Sequence, residues 1–232
     1  MNASADAGAI IVAGGVGTRA SSSANGEPKQ YREISGVRML LRAVRPFASH
    51  PRVGPIVVVL PEADAASPPA WLAPLLSDRL TVTAGGETRQ ESVAKGLARL
   101  APEARLVLVH DAARPFADGE LIDRVLDVAS LGAAAVPAVP VSDTIKETDT
   151  AGLVTRSLPR ERLVAVQTPQ AFPRQMLETA HQRARSDAGA AASDDAMLCE
   201  RLGYPVRVVP GSPRNLKVTT PQDFAIAEAL AQ

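Results

Sequence analysis

Aromatic side chains are scarce in this 232-residue sequence, where Phe, Trp and Tyr together supply only 3%. A stacking platform for single-stranded nucleic acid therefore has few residues to be built from. Neither sign of charge is in excess, because 25 Lys and Arg balance 25 Asp and Glu, so no global field draws the chain to DNA or to an anionic membrane. Any phosphate binding must be local. The single cysteine, Cys199, excludes an intrachain disulfide framework and a cysteine-based zinc site, and it suits a reducing compartment. Long apolar runs are also missing: Ile56 to Leu60 falls far short of the roughly 20 residues that span a bilayer. The polar opening Met1 to Gly8 lacks the basic segment and apolar stretch of a signal peptide. These absences predict a cytoplasmic protein with neither nucleic acid nor membrane as partner.

What is present is enough to fold. Hydrophobic residues make up 46% and charged residues 22%, a composition that can bury a substantial core at this length. Short apolar runs alternate with helical patterns, and strands are expected at Ala9 to Ala13, Pro55 to Leu60, Leu80 to Ala84, Arg105 to Val109, Ala133 to Pro137 and Val206 to Pro210. Glu87 to Leu100 carries Val93, Leu97 and Leu100 on one face, and Leu121, Val125 and Val128 repeat that spacing. Ser193-Asp194-Asp195 and Thr220-Pro221 read as helix starts. Ile56-Val57-Val58-Val59-Leu60 and Leu106-Val107-Leu108-Val109 are continuous enough to be strands buried on both faces. The expectation is an α/β, Rossmann-like fold: a mainly parallel sheet with helices on both faces. No internal repeat is found, so residues 1–232 are expected to form a single domain.

The stretch Val139 to Val166 breaks the alternation. β-compatible pieces around Thr144 to Lys146 and Leu153 to Arg156 flank the turn-rich Glu147-Thr148-Asp149-Thr150-Ala151-Gly152. A hairpin projecting from the sheet is the expected result. Such a hairpin is marginal by itself, and a second copy of the chain is the economical surface for it to pack on.

Ligands in open α/β sheets bind beyond the carboxyl ends of strands, which is where Ala13-Gly14-Gly15-Val16-Gly17-Thr18-Arg19 and then Pro28-Lys29-Gln30 must lie. A glycine-rich strand-to-helix turn is one reading of the first segment. Close approach of its amides to phosphate oxygens is the other, and the basic pair Arg19 and Lys29 favours a nucleoside triphosphate. The pattern is neither a Walker A loop nor a full dinucleotide fingerprint. Asp111, in Val109-His110-Asp111-Ala112-Ala113-Arg114-Pro115, is either a Mg²⁺ ligand at a strand end or a turn-forming carboxylate. Lys217, between a strand and the last helix, is either a solvated lysine or a phosphate ligand. His110 has no second well-placed histidine or cysteine to share a metal with and is read as structural, and Cys199 as a packed thiol. There is no Gly-x-Ser-x-Gly elbow for a serine hydrolase.

The order of several motifs carries a resemblance. Ala13-Gly14-Gly15-x-Gly17-Thr18-Arg19, Pro28-Lys29-Gln30-Tyr31, Arg89-Gln90-Glu91-Ser92-Val93, His110-Asp111-Ala112-Ala113-Arg114-Pro115, Asp143-Thr144, Thr168-Pro169-Gln170 and Lys217-Val218-Thr219 resemble the 2-C-methyl-D-erythritol 4-phosphate cytidylyltransferase family from roughly Ala9 to Ala231. The resemblance implies CTP and 2-C-methyl-D-erythritol 4-phosphate as substrates, pyrophosphate as a product and a place in non-mevalonate isoprenoid synthesis. It implies that Ala13, Gly14, Gly15 and Gly17 lie along the triphosphate, with Gly85, Gly86 and Ser92 near the cytidine. Arg19 and Lys29 would stabilise the transition state, Asp111 would bind Mg²⁺, and Arg160 with Lys217 would position the attacking phosphate. Arg114, Thr144, Thr168 and Ser193 would complete the substrate contacts, and the hairpin arm at about 139–166 would form a homodimer.

The chain departs from the family pattern at Gly14, where alanine is frequent, at Ala20, where methionine is usual, and at Ser193, where threonine is common. A polar insertion, Ser21 to Gly26, lengthens the loop before Lys29. Besides a more distant sugar-1-phosphate nucleotidyltransferase, two rival readings are a ribitol 5-phosphate cytidylyltransferase, against which the paired alanines after Asp111 argue, and a non-catalytic nucleotide-binding module. Retention of Arg19, Lys29, Asp111 and Lys217 argues against the second.

Overall fold

The computed structural model describes residues 5–14, 28–186 and 192–232. Among the described residues, twelve strands and seven α-helices follow one another in the order β1 (Ala7–Val12), β2 (Glu33–Ile34), β3 (Val37–Arg38), α1 (Met39–Ser49), β4 (Val53–Leu60), α2 (Glu62–Ala66), β5 (Leu80–Ala84), α3 (Arg89–Arg99), β6 (Leu106–Asp111), α4 (Gly119–Ser130), β7 (Ala134–Pro140), β8 (Ile145–Thr148), β9 (Val154–Leu158), β10 (Val164–Val166), β11 (Gln170–Pro173), α5 (Arg174–Ser186), α6 (Asp195–Arg201), β12 (Val206–Pro210) and α7 (Pro221–Leu230).

The central sheet runs β10-β7-β11-β6-β1-β4-β5, with β12 also paired to β7. β1 pairs in parallel with both β4 and β6, β4 with β5, and β7 with β12. This is the mainly parallel sheet that the uninterrupted valine runs predict. Alternate residues of these strands enter different cores. Ile11, Ile56, Val58 and Leu108 pack with Leu40, Phe47, Ile122 and Leu126 of α1 and α4. Ile10, Val57, Val59, Val107 and Val109 pack instead with Val93 and Leu97 of α3, Leu177 of α5 and Leu198 of α6. Cys199 is buried in that second core, as a packed thiol should be, and burial pushes its pKa up to about 12. No helix among the described residues is long and apolar enough to cross a membrane.

One strand in the middle of the sheet differs from the expectation. β11 lies antiparallel between β6 and β7. The other strands retain a 3-2-1-4-5 order in the form β5-β4-β1-β6 and then β7, so the direction of winding reverses between β1 and β6. That reversal opens the crevice in which such sheets bind ligands.

The expected hairpin is present as β8 and β9, which among the described residues pair only with each other, but the stretch Val139 to Val166 does not project as a whole, because Val139 and Pro140 pair with Ala165 and Val164 in the central sheet. Asp149 shapes its turn by accepting through Oδ1 from the amides of Ala151 and Leu153, both at 2.9 Å. Leu153 and Val154 stand 68% and 59% exposed. The arm thus leaves apolar surface uncovered within one chain.

His110 near the end of β6 is fully buried. The Arg114 carbonyl can only accept, so His110 Nε2 carries the proton it donates at 2.9 Å. Nδ1 then accepts from the Thr168 hydroxyl at 3.1 Å, and Thr168 Oγ1 in turn accepts from the Asp111 amide at 3.0 Å. Burial lowers the His110 pKa to about 4, against the opposing effect of the bond to Arg114. Unfolding restores an ordinary imidazole near 6.5, so between these values the unfolded chain binds a proton that the native chain does not. Stability is therefore expected to fall as pH drops from 7 to 4, by on the order of 3 kcal/mol from this group. Asp111 loses its own contribution only at lower pH, below the ordinary carboxylate range. Urea unfolding at pH 7, 5.5 and 4 should show a shallower loss in His110→Gln than in the parent, and equal slopes would remove His110 as the source.

Candidate functional site

The carboxyl ends of the central strands surround a cavity of about 560 Å³. Its phosphate-loop side is built from the residues after β1. Gln30, only 4% exposed, donates from Nε2 to the Ala13 carbonyl at 2.8 Å, and Tyr31 donates its hydroxyl to Asp64 Oδ2 at 2.6 Å. These bonds fasten the single 3-10 turn Lys29–Tyr31 to the end of β1 and to α2. Lys29 lines the cavity as a result. Gly14 also lines it, and a Cβ there would meet Gly85 Cα at an ordinary 3.5 Å. The alanine frequent at this place would therefore fit.

On the opposite wall, Thr88 caps α3 by accepting from the Glu91 amide. Ser92 Oγ accepts from the Gly86 amide at 3.1 Å and donates to the Thr88 carbonyl at 2.9 Å. The loop after β5 is pressed so closely on α3 that a Cβ at Gly86 would sit 2.4 Å from Glu91 Cβ. Gly86 and Ser92 face the cavity together, while Gly85 does not line it and is close enough that a Cβ there would sit 2.9 Å from Ser92 Oγ.

Asp111 closes the floor. Its Oδ1 accepts from Arg89 Nε at 3.1 Å, and its Oδ2 from Lys217 Nζ at 2.7 Å. Lys217 arrives because the Val218 amide donates to the Ala113 carbonyl at 2.8 Å and docks that segment beside the end of β6. Arg89 Nη1 donates onward to Asp195 Oδ2 at 2.7 Å, and Asp195 Oδ1 accepts from His181 Nε2 at 2.9 Å. Burial opposes ionisation of Asp111, but Arg89 and then Lys217 outweigh it and hold the carboxyl well below the usual carboxylate range. Asp195 is lowered in the same manner, by Arg89 and His181 against burial.

A second cavity of about 240 Å³ shares Arg89, Asp111 and Lys217 with the first and continues to Arg114, Thr168 and Ser193. Arg114 donates to the Asn215 carbonyl at 2.9 Å and to the Val166 carbonyl at 3.3 Å. The Thr168 hydroxyl is committed to Asp111 and His110, and the Thr168 carbonyl accepts from Asn215 Nδ2 at 2.8 Å. Gln170 donates to Asp194 Oδ2 at 2.8 Å and fixes the start of α6, which Asp194 also caps. Ser193 is thereby held at the cavity's rim.

The structure thus brings together Ala13, Gly14, Lys29, Gly86, Ser92, Asp111, Arg114, Thr168, Ser193 and Lys217. Gly15, Gly17, Arg19, Ala20 and the insertion Ser21 to Gly26 lie outside the described residues. Thr144 and Arg160 line neither cavity. Thr144 is exposed on the arm, and Arg160 donates from Nη1 to the Ser142 carbonyl at 2.7 Å. Arg89 and Asp195 are the residues whose part the motifs did not disclose. Both are first residues of capped helices, 106 positions apart, and no local sequence signal joins them.

Comparison with known proteins places this geometry in a family. The family model for 2-C-methyl-D-erythritol 4-phosphate cytidylyltransferase matches residues 7–232. A protein of that name from Syntrophus aciditrophicus is 39% identical over 227 residues, which cover 95% of this chain and 94% of the relative. The bifunctional enzyme IspD/IspF of Solidesulfovibrio magneticus is 44% identical over 229 residues, and the match spans 96% of this chain but only 56% of that longer protein. The crystal structure of 2-C-methyl-D-erythritol 4-phosphate cytidylyltransferase from Thermus thermophilus superposes with a TM-score of 0.77 at 38% identity, covering 96% of this chain and 97% of the other. The chain belongs to the 2-C-methyl-D-erythritol 4-phosphate cytidylyltransferase family, transferases of isoprenoid biosynthesis.

Proposed function

We propose that the larger cavity binds CTP and the smaller one the phosphate of 2-C-methyl-D-erythritol 4-phosphate, and that residues 1–232 act as one nucleotidyltransferase domain. The observation that carries this reading is the shared wall: Arg89, Asp111 and Lys217 border both cavities, so two anionic reactants would meet across them. A phosphate monoester is already a nucleophile near neutral pH. Its oxygen would attack the α-phosphorus of CTP as pyrophosphate leaves in line, with no serine or cysteine required. The obstacle is repulsion between anions, and positioned cations are the expected remedy. Lys29 and Arg19 would hold developing charge on the nucleotide, and Lys217 would turn from Asp111 to the acceptor phosphate.

Mg²⁺ suits the residues present. Asp111 places one ionised carboxylate at the cavity floor, and its oxygens retain lone pairs beyond those used by Arg89 and Lys217. Mg²⁺ takes one or two protein carboxylates and completes its shell with phosphate and water. When bound, the ion would neutralise phosphate charge. Asp111 would hold it.

The arm gives the acceptor side its remaining cation. Arg160 stands away from both cavities of its own chain, while Leu153 and Val154 leave the arm with apolar surface to cover. We infer a homodimer in which each arm, with Arg160 and Thr144, completes the partner's acceptor cavity.

Pyrophosphate release from CTP and Mg²⁺ on addition of 2-C-methyl-D-erythritol 4-phosphate tests the activity, and CTP binding without release under any acceptor would refute it. Arg19→Ala and Lys29→Ala should fold normally and each lose turnover by on the order of 10² to 10³. Near-parental turnover would remove that residue from the catalytic set. For the dimer, Arg160→Ala and Lys29→Ala chains should each be nearly inactive alone. After subunit exchange, with half the dimers mixed and one complete site in each, about a quarter of parental activity should return. No recovery in demonstrated heterodimers would return Arg160 to its own chain's site or place it outside the chemistry.

A further inference from the structure

Asp111 is gripped by two cations of unlike freedom. Lys217 is a point charge on a flexible stem, 45% exposed along its side chain, with its bond to Asp111 Oδ2 facing the cavities. Arg89 is a planar fork, and a guanidinium meeting a carboxylate pairs preferentially through two parallel bonds. Here the fork is not closed on Asp111: Nε serves Asp111 Oδ1, Nη1 serves Asp195 Oδ2, and Nη2, which pairs with Nε in a side-on fork, is buried without a hydrogen-bond partner. Asp195 is only 1% exposed, lines neither cavity, and is itself braced by His181. It cannot touch a substrate. Its effect must pass through Arg89.

We propose that Asp195 is a positioning residue which, by holding Nη1, fixes the guanidinium plane of Arg89 so that Nε alone meets Asp111 while Nη2 stays unpaired, and so keeps Asp111 Oδ2 exchangeable between Lys217 and an incoming cation. Without Asp195, Arg89 turns its fork onto both oxygens of Asp111. That closed pair displaces Lys217 and competes with metal for the carboxylate. The placement of Arg89 makes the bond to Asp195 necessary as well as useful. As the first residue of α3, it holds a positive charge at the positive end of a helix, so it needs more than one anion beside it. The inference rests on the reading of Asp111 as the residue that meets Mg²⁺.

The test is calorimetric CTP binding without acceptor, in chelator and in saturating Mg²⁺, so that the gain in affinity given by the metal is read separately from nucleotide binding. In Asp195→Ala the metal-dependent gain should fall by about tenfold, the lower range for residues that orient a metal ligand, while affinity in chelator holds or rises. Asp195→Asn can still accept from Arg89 and should restore part of the gain. Asp111→Asn should abolish the gain, and adding Asp195→Ala to it should change nothing further, since both act through one carboxylate. Should Asp195→Ala fail to fold, the apolar near-isostere Asp195→Leu takes its place with the same expectation. An undiminished gain in the Asp195 variants, with Asp111→Asn impaired, would overturn the proposal, as would equal weakening with and without metal. An undiminished gain in Asp111→Asn would instead refute the reading of Asp111 on which it stands.

Discussion

A carboxylate buried at the end of a strand must be neutralised or give up its charge, and in this fold the neutralisation of Asp111 sets where four segments meet. Asp111 is 8% exposed at the last position of β6. The positive charge comes from the first turn of α3 and from the segment before α7. Arg89 then needs a second anion, and the first residue of α6 provides it. Thr88 and Asp194 cap α3 and α6 one residue earlier, so the two helix starts that carry Arg89 and Asp195 are each held by a side-chain bond to the backbone. The charges are thus mounted on fixed points.

Transfer between two phosphates needs positive charge that is in place before the reactants arrive and yet able to leave its resting partner. A uniformly rigid cluster would satisfy only the first requirement. Under the proposed reading Arg89, tied to two carboxylates, would supply the fixed element, and Lys217, tied to one and half-exposed, the movable one. Lys29 belongs to a third arrangement, in which Gln30 and Tyr31 anchor the turn while the lysine that opens it faces the cavity. In each case the neighbour that anchors lies beside the group that acts.

The central strands were legible because burial on both faces removes polar interruptions and leaves β-branched runs, as in β4 and β6. β11 was not. It is four residues, Gln-Ala-Phe-Pro, opening on an amide and closing on a proline, and it becomes a strand only through its neighbours β6 and β7. The same divide runs through the site. Asp111 and Lys29 could be placed by the rule that ligands lie beyond strand ends, whereas the Arg89–Asp195 bond joins positions 106 apart and has no local signature. Thr168 shows the converse. It lines the smaller cavity, yet its hydroxyl turns inward between Asp111 and His110. A hydroxyl's direction is decided by its tertiary partners.

The arm joins two deficits that a single chain leaves open. In the smaller cavity, proposed for the acceptor, Arg114 is fastened to two carbonyls and the Thr168 hydroxyl is spent within the protein, so Lys217 would be the readily movable cation facing a phosphate that carries up to two negative charges. On the arm, Arg160 lines neither of its own chain's cavities, and Leu153 and Val154 have no core to enter. A two-stranded hairpin with exposed apolar residues gains stability by covering them, and an isologous pairing would cover both arms at once while moving each Arg160 toward the other chain's acceptor side. The proposed dimer would answer the electrostatic shortage and the unburied surface with the same contact, and under that reading the hairpin would belong to the chemistry as well as to the assembly.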